Sequence, residues 1–129
     1  MELTIPKKLL VVEDEARARM LYQRELEDRG YKVLLAANGH EAFAAITDNK
    51  LIDLILLDVK MPDMNGVEFL RRLRRDGKTM PVILCTAFSA VADPFEMQEL
   101  GVVGTFMKPV DLESLASKIR SVLPEQKKI

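Results

Sequence analysis

The sequence predicts a single α/β domain in which helices cover both faces of a parallel sheet of five strands. Two observations support this prediction. Short, mainly apolar runs recur five times along the 129 residues, four of them unbroken, and longer segments with apolar residues at helical spacing lie between them. Unbroken apolar runs are typical of strands that are buried on both faces. Strands and helices that alternate in this way form a parallel sheet, and right-handed crossovers place helices on both of its sides.

The five apolar runs set the positions of the strands, and most of them are too short for a helix. They occupy residues 9–12, 33–36, 54–57, 82–85 and 103–107. Four helices show apolar residues on one stripe, three or four positions apart. These stripes are Ala18, Tyr22 and Leu26; Ala42, Ala45 and Ile46; Val67, Leu70 and Leu73; and Leu112, Leu115, Ile119 and Val122.

Capping residues predict where the helices begin and end. Asp93 can cap the fourth helix and Pro94 can occupy its first position, so this helix is expected to be short or delayed. The third helix opens at Asn65-Gly66, and Asp111 can cap the fifth. Gly30 and Gly77 follow the first and third helices, in positions typical of helix ends.

Composition excludes several functional classes. Nineteen basic against 20 acidic residues give a formal charge of −1, which argues against bulk attraction to nucleic acid or membrane. No apolar segment near the start is long enough for a signal peptide or a membrane span, so a cytoplasmic location is expected. The single cysteine, Cys85, lies in an apolar run and is interpreted as a small buried side chain. The domain is predicted over residues 8–123, with short tails at 1–7 and 124–129.

Polar residues directly follow four of the predicted strands. Glu13-Asp14 follow the first strand, Asp58 the third, Thr86 the fourth and Lys108-Pro109 the fifth. The carboxyl ends of parallel strands share one edge, and such sheets carry their sites there. Three carboxylates, a hydroxyl and an ammonium group are therefore expected to converge.

This set of residues predicts a metal-assisted phosphate site. Three neighbouring acids repel each other, and Lys108 compensates only one charge. Oxygen ligands without paired His or Cys favour Mg²⁺ or Mn²⁺. Asp58 is the predicted nucleophile, because a carboxylate can form an aspartyl phosphate. Thr86 and Lys108 can each bind a phosphoryl oxygen.

The same residues resemble the landmarks of response-regulator receiver domains. Leu10-Val11-Val12-Glu13-Asp14 resembles the receiver opening with its acidic pair. Asp58-Val59-Lys60-Met61-Pro62-Asp63-Met64-Asn65-Gly66 resembles the phosphoacceptor loop, Asp-x-x-Met-Pro-x-x-x-Gly. Thr86-Ala87 and Lys108-Pro109 match the remaining two landmarks. The resemblance covers nearly the whole chain and includes single-domain receivers of the chemotaxis and sporulation-relay type.

The resemblance implies a fold and a metal site. The fold is the flavodoxin-like, doubly wound (βα)5 sandwich of three layers, with strand order 2-1-3-4-5. Asp14 and Asp58 bind the metal directly, Glu13 acts through water, and the backbone carbonyl of Lys60 is a third protein ligand. The peptide between Lys108 and Pro109 is implied to be cis.

The resemblance also implies a switch and its partners. Thr86 and Ala87 bind the phosphoryl group, and Thr86 and Phe106 move so that the surface of helix 4, strand 5 and helix 5 changes shape. The donor is a histidine kinase or a histidine phosphotransfer protein, and the output is a downstream protein partner. The chain is expected to be a monomer or a phosphorylation-dependent dimer, to contact no nucleic acid or membrane itself, and to be no enzyme.

Four positions depart from the usual receiver pattern. Glu13 stands where Asp is commoner, and Val110 replaces an aromatic residue after Lys-Pro. Lys60 and the bulky Phe88 flank the phosphate and are expected to tune its lifetime. Our hypothesis is that Phe88 screens the acyl phosphate from water and slows self-dephosphorylation.

Several other interpretations stay open beside this one. Asp14 and Asp58 can be read as a helix cap and a turn residue, and Phe106 as a plain core aromatic. The four arginines between positions 71 and 75 are interpreted as a solvated helix face. His40, the only histidine, is expected to be exposed, so the phosphodonor is another protein.

Three other functions are weighed against the switch. A degenerate receiver would act as a binding module, but the intact site residues argue against it. An aspartyl phosphatase of the Asp-x-Asp type lacks its second Asp, because position 60 is Lys. An FMN binder would need a Ser/Thr/Gly-rich loop after the first strand, which is missing.

Overall fold

A computed structural model describes residues 4–49, 51–87, 93–124 and 127–128. The strands, numbered along the chain, are β1 Thr4–Ile5, β2 Lys8–Val12, β3 Lys32–Ala36, β4 Leu54–Leu57, β5 Val82–Thr86, β6 Val102–Met107 and β7 Lys127–Lys128. The helices are α1 Ala16–Asp28, α2 Gly39–Asp48, α3 Gly66–Arg75, α4 Pro94–Glu99 and α5 Leu112–Val122. Strands β2 to β6 form one parallel sheet in the order β3-β2-β4-β5-β6. Counted within this sheet alone, the order is 2-1-3-4-5, so the predicted flavodoxin-like fold is confirmed.

Two apolar layers hold the helices against the sheet. On one face α1 and α5 bury Leu26, Leu115 and Ile119 against the strands. On the other face α2, α3 and α4 contribute residues such as Ile46 and Phe69. The central strands β2, β4 and β5 are in contact with both layers, which explains why their sequences are apolar without alternation.

The predicted capping residues occupy the helix ends. The side chains of Asn65, Asp93 and Asp111 accept hydrogen bonds from backbone N–H groups in the first turns of α3, α4 and α5. Gly30 and Gly77 follow α1 and α3 with positive φ angles of 95° and 81°, a region that glycine adopts without steric cost. Helix α4 has only six residues, as Pro94 predicted.

The edges of the fold differ from the sequence predictions. Strand β6 alternates between half-buried and exposed residues, because it is the last strand of the sheet and has one face in solvent. Strands β1 and β7 lie in segments predicted as tails, yet they pair antiparallel, with Ile5 opposite Lys127. Two-residue strands carry no periodicity that a sequence pattern can show. No helix in the described ranges is long and apolar enough to cross a membrane.

The arginines of α3 were predicted to form a solvated helix face, but they also contact neighbouring elements. Arg71 donates two hydrogen bonds to the carboxylate of Glu96 on α4, at 2.8 and 2.9 Å. Arg74 is half-buried, and its Nε donates to the carbonyl of Leu100 at 2.7 Å. Arg72 lies over the ring of Phe43 at 4.2 Å. Three of the four arginines therefore connect α3 to neighbouring elements, and a sequence pattern does not reveal such partners 25 residues or more away.

Gly66 is needed where α3 begins, because this helix starts in contact with the loop that follows β4. The N–H of Gly66 donates to the carbonyl of Val59 at 2.7 Å. A Cβ atom on Gly66 would lie 2.8 Å from the Cα of Val59, closer than two carbon atoms can approach without displacing the backbone.

We expect Gly66→Ala to lower the free energy of unfolding by about 1–3 kcal/mol, because the clash is with backbone and must move the loop. The matched control is Gly104→Ala in β6, where the added Cβ would meet only the flexible side chain of Lys118. Gly104→Ala should be neutral or slightly stabilising, by no more than about 1 kcal/mol. Urea unfolding followed by circular dichroism measures both. Equal stability of the two variants would contradict the steric explanation.

Candidate phosphoryl-transfer and metal site

The carboxyl edge of the sheet positions the predicted site residues through continued backbone bonding. The N–H of Glu13 donates to the carbonyl of Ala36, the N–H of Asp58 to Val12, and the N–H of Lys108 to Thr86, at 2.8–3.0 Å. These three residues are thus hydrogen-bonded to the ends of neighbouring strands. Their side chains project from backbone that continues the hydrogen bonding of the sheet.

Lys108 joins two buried carboxylates. Its Nζ donates to Oε1 of Glu13 at 2.6 Å and to Oδ2 of Asp58 at 2.9 Å. The side chains of Glu13 and Asp58 are 2% and 6% exposed. Burial alone would lower the pKa of Lys108, but the hydrogen bonds to Glu13 and Asp58 reverse the effect and raise it. The lysine is therefore held as a cation between the two acids.

One ammonium group does not balance the three acids. Carboxylate oxygens of Glu13, Asp14 and Asp58 lie within 4.8 Å of one another, and Asp14 is exposed to solvent. Burial raises the pKa of Glu13 from 4.5 to about 6 despite its bond to Lys108. A cluster of oxygen ligands that is short of positive charge and open on one side fits a hard divalent cation such as Mg²⁺.

The other oxygen of Asp58 is also engaged. Its Oδ1 accepts a hydrogen bond from the backbone N–H of Lys60 at 3.1 Å, while the Lys60 side chain is exposed. This bond turns the chain after β4 and brings the backbone of Lys60 beside the acidic cluster. The turn interpretation of Asp58 is thus compatible with its placement in the site. Asp14 is not a helix cap, because Glu15 is the N-cap residue of α1 and makes no side-chain capping bond.

The remaining predicted residues lie at or near the same edge. Thr86 is buried at the end of β5, and the exposed Ala87 follows it. Phe106 is half-buried and packs against the apolar layer beneath α1 and α5. The peptide between Lys108 and Pro109 is cis, as predicted. Phe88 lies outside the described residues.

Sequence reasoning missed one residue that supports the acidic pair. Nη1 of Arg19 in α1 donates to the carbonyl oxygens of Glu13 and Asp14 at 2.8 and 2.9 Å. These bonds fix the backbone from which both carboxylates project. An arginine one turn into the helix that follows an acidic pair is the signal that could have indicated it.

The two other reactive side chains match their sequence interpretations. Burial raises the pKa of the Cys85 thiol to about 12, so the thiol is kept protonated and unreactive. The side chain of His40 is 88% exposed, and its Nδ1 lies 3.8 Å from Oδ2 of Asp63.

Comparison with known proteins gives a consistent answer. The family model for the response regulator receiver domain matches residues 9–120. The chain is 34% identical to sporulation initiation phosphotransferase F of Bacillus subtilis, over 92% of this chain and 94% of that protein. It is 38% identical to the uncharacterized transcriptional regulatory protein YkoG of the same organism, over 89% of this chain and 50% of YkoG. The chain thus spans about half the length of several relatives that it matches.

Solved structures agree with these sequence relatives. The chemotaxis response regulator CheY4 of Vibrio cholerae superposes with a TM-score of 0.82 at 32% identity, covering 92% of this chain and all of that one. The response regulator TrrA of Thermotoga maritima, solved in complex with Mg²⁺-BeF, superposes with a TM-score of 0.80 at 31% identity. That comparison covers 91% of this chain and 99% of TrrA.

The raised pKa of Glu13 predicts a pH-dependent stability. Below pH 4.5 Glu13 is protonated in the folded and unfolded states alike. Between pH 4.5 and about 6 the unfolded chain loses this proton first, so stability falls as the pH rises. Metal-free Glu13→Gln should therefore be more stable than wild type at pH 7.5 by about 2 kcal/mol and equally stable below pH 4.5.

Urea unfolding in the presence of a chelator, measured from pH 4 to 8, tests this difference. Glu15→Gln removes the charge of a neighbouring exposed carboxylate and serves as the control. A pH-independent difference between Glu13→Gln and wild type would contradict the assignment.

Proposed function

Because the chain belongs to the family of response regulator receiver domains, we propose that it is a phosphoacceptor switch of a two-component or phosphorelay system. Receiver domains are signalling modules that accept phosphoryl groups and are regulated by histidine kinases or phosphotransfer proteins. In this chain Asp58 is the proposed acceptor. The observation that carries the proposal is the Lys108 bridge between Asp58 and Glu13 in a cluster that still lacks positive charge.

The site residues at the carboxyl edge of the sheet have two proposed roles, as metal ligands and as phosphate ligands. Asp14, Asp58 and the backbone carbonyl of Lys60 would hold Mg²⁺ directly, with Glu13 acting through water; Mn²⁺ suits the same oxygen ligands. When bound, the metal offsets the repulsion between the Asp58 carboxylate and the incoming phosphoryl oxygens. The family resemblance supports this ligand set.

Phosphoryl transfer itself asks little of the protein beyond position and charge. A carboxylate oxygen of Asp58 attacks the phosphorus atom, the P–N bond of the donor phosphohistidine breaks, and its electron pair returns to the imidazole. Lys108 then shares its protons with a phosphoryl oxygen, and the Thr86 hydroxyl and the Ala87 backbone bind others. Movement of Thr86 leaves room for Phe106 to turn inward, and the surface of α4, β6 and α5 changes.

The phosphodonor and the target are other proteins. His40 is the only histidine, and its exposed side chain lies beside Asp63 and is not part of the acidic cluster, so we propose that a histidine kinase or a histidine phosphotransfer protein supplies the phosphoryl group. A downstream protein binds the changed surface. Three further statements stay predictions. The chain is a monomer or a phosphorylation-dependent dimer, it makes no direct contact with nucleic acid or membrane, and it is located in the cytoplasm.

The alternative is a degenerate receiver that binds partners constitutively. The intact acidic cluster and Lys108 argue against it, because a module that never takes phosphate has no need for buried acids whose ionised form burial disfavours. Sustained hydrolysis of phosphomonoesters is not proposed either. Position 60 holds Lys where the aspartyl phosphatases need their general acid.

Intact mass after incubation with acetyl phosphate and Mg²⁺ tests the proposal. Wild type should gain the mass of one phosphoryl group, and chelation of Mg²⁺ should abolish the gain. Asp58→Asn should gain none, because an amide cannot form the acyl phosphate. Asp48→Asn, an exposed aspartate at the end of α2, should behave like wild type. An unmodified wild type under these conditions would favour the degenerate receiver.

The lifetime of the phosphoryl group is proposed to depend on Phe88 and Lys60. If Phe88 screens the acyl phosphate from water, Phe88→Ala should shorten its lifetime, whereas Phe88→Leu, which keeps a bulky apolar side chain, should largely preserve it. Lys60→Ala should also alter the lifetime. Decay of the phosphorylated mass after removal of acetyl phosphate measures all three. A lifetime unchanged in Phe88→Ala would refute the screening hypothesis.

A further inference from the structure

The side chain of Asp63 attaches the loop that carries Asp58 to the start of helix α2. Its Oδ1 accepts the N–H of Gly39 at 2.9 Å, and its Oδ2 accepts the N–H of His40 at 2.9 Å. Gly39 and His40 are the first two residues of α2. Both oxygens of one carboxylate are thus committed to the start of a helix that lies 23 residues earlier in the chain.

Asp63 supplies hydrogen-bond acceptors for two N–H groups of α2 that the cap residue Asn38 does not bind. The side chain of Asn38 accepts the N–H of Glu41 at 2.8 Å, which leaves the N–H groups of Gly39 and His40 without a partner inside the helix. A carboxylate at a helix N-terminus forms charge-assisted bonds and is also favoured by the helix dipole. These bonds, that of Gly39 first, hold the pKa of Asp63 below its usual range, so the bonds persist to mildly acidic pH.

Close packing beside Asp63 tightens the same contact. A Cβ on Gly39 would lie 2.9 Å from Cγ and Sδ of Met64, so α2 begins at close approach to the loop. Met64 in turn packs against the apolar layer beneath α2 and α3. At the loop's far end Gly66 is bonded to Val59. The loop is therefore held at its middle by α2 and at its end by its own backbone.

We infer that Asp63 is a positioning residue that couples the start of α2 to the metal and phosphoryl site. The loop that it fastens carries the Asp58 carboxylate and the Lys60 carbonyl, so a shift of either ligand strains two hydrogen bonds to α2. Coupling between two sites is reciprocal. Metal at the acidic cluster should be sensed at α2, and a change at the start of α2 should alter metal affinity. This inference rests on the proposed function, because it assumes that the cluster binds Mg²⁺.

The coupling makes the start of α2 a second surface that responds to the metal and phosphoryl site. The family resemblance places the switch at helix α4, strand β6 and helix α5. The start of α2 belongs to the opposite half of the sheet, because β3 and β6 are its two edge strands. Neither composition nor motif spacing assigns a role to Asp63, which occupies one of the variable positions of the phosphoacceptor loop pattern.

The experiment compares Asp63→Ala with Asp48→Ala, which removes the same charge from the other end of α2. Amide exchange at Gly39 and His40 should be about tenfold faster in Asp63→Ala, because two charge-assisted bonds are lost. Mg²⁺ affinity, measured by titration calorimetry, should weaken by about three- to tenfold. The NMR signals of the Gly39 and His40 amides should shift on addition of Mg²⁺ in wild type and in Asp48→Ala, and shift less in Asp63→Ala.

The measurements distinguish failure of the coupling from failure of the proposed metal site. If Asp63→Ala matches Asp48→Ala in Mg²⁺ affinity and in the amide response to Mg²⁺, Asp63 is structural only and the coupling is refuted. If wild type itself binds no Mg²⁺, the proposed metal site fails, and the coupling fails with it, whereas amide exchange still reports whether Asp63 fastens the loop. Asp63→Asn keeps the shape of the side chain. It replaces Asp63→Ala if the latter unfolds, and it should give intermediate exchange rates and intermediate Mg²⁺ affinity.

Discussion

The ammonium group of Lys108 partly compensates the charges of the two buried carboxylates in this site. Glu13 and Asp58 end strands β2 and β4 in the centre of the sheet, and both are almost fully buried. A buried carboxylate without a partner costs several kcal/mol. Lys108 follows β6, the edge strand two places from β4, so its side chain must reach across the end of β5 to contact both acids. The site therefore exists only when the strands are in this order.

The same bridge would give a physical reason for the proposed switching. In the resting protein Lys108 serves two carboxylates while a third, Asp14, lies nearby, and burial already disfavours the ionised form of Glu13. On the proposed function, a phosphoryl group on Asp58 would bring new anionic oxygens that compete for the same ammonium group. The arrangement seen here would then be one of two ways to share a single cation, and the residues that contact Lys108 would report which way is populated. The Arg19 side chain holds the backbone of the acidic pair through the carbonyl oxygens of Glu13 and Asp14.

Most of the fold was predictable because its signals are local. Short, mainly apolar runs located the five strands of the sheet, and the chemistry of Asn65, Asp93 and Asp111 located three helix starts. Because the carboxyl ends of parallel strands share one edge, the sequence alone predicted that Glu13, Asp14, Asp58 and Lys108 lie close together. The pairing of β1 with β7 left no signal because each strand has two residues. The alternation of β6 follows from its place at the edge, and the apolar character of its sequence concealed it. Asp63 and Arg74 act through backbone atoms of residues that are distant in the sequence, and backbone groups are invisible to residue patterns. Arg19 also acts through backbone atoms, but its partners Glu13 and Asp14 are close in the sequence.

A crystal structure grown with Mg²⁺ and beryllofluoride, a mimic of the phosphoryl group, tests the central claim most directly. We predict one beryllofluoride on the carboxylate of Asp58 and a metal ion in contact with Asp14, Asp58 and the carbonyl of Lys60. We also predict that Lys108 shifts from Asp58 towards a fluorine atom. An adduct on another carboxylate, or a metal ion bound away from the acidic cluster, would contradict the proposed phosphoacceptor site.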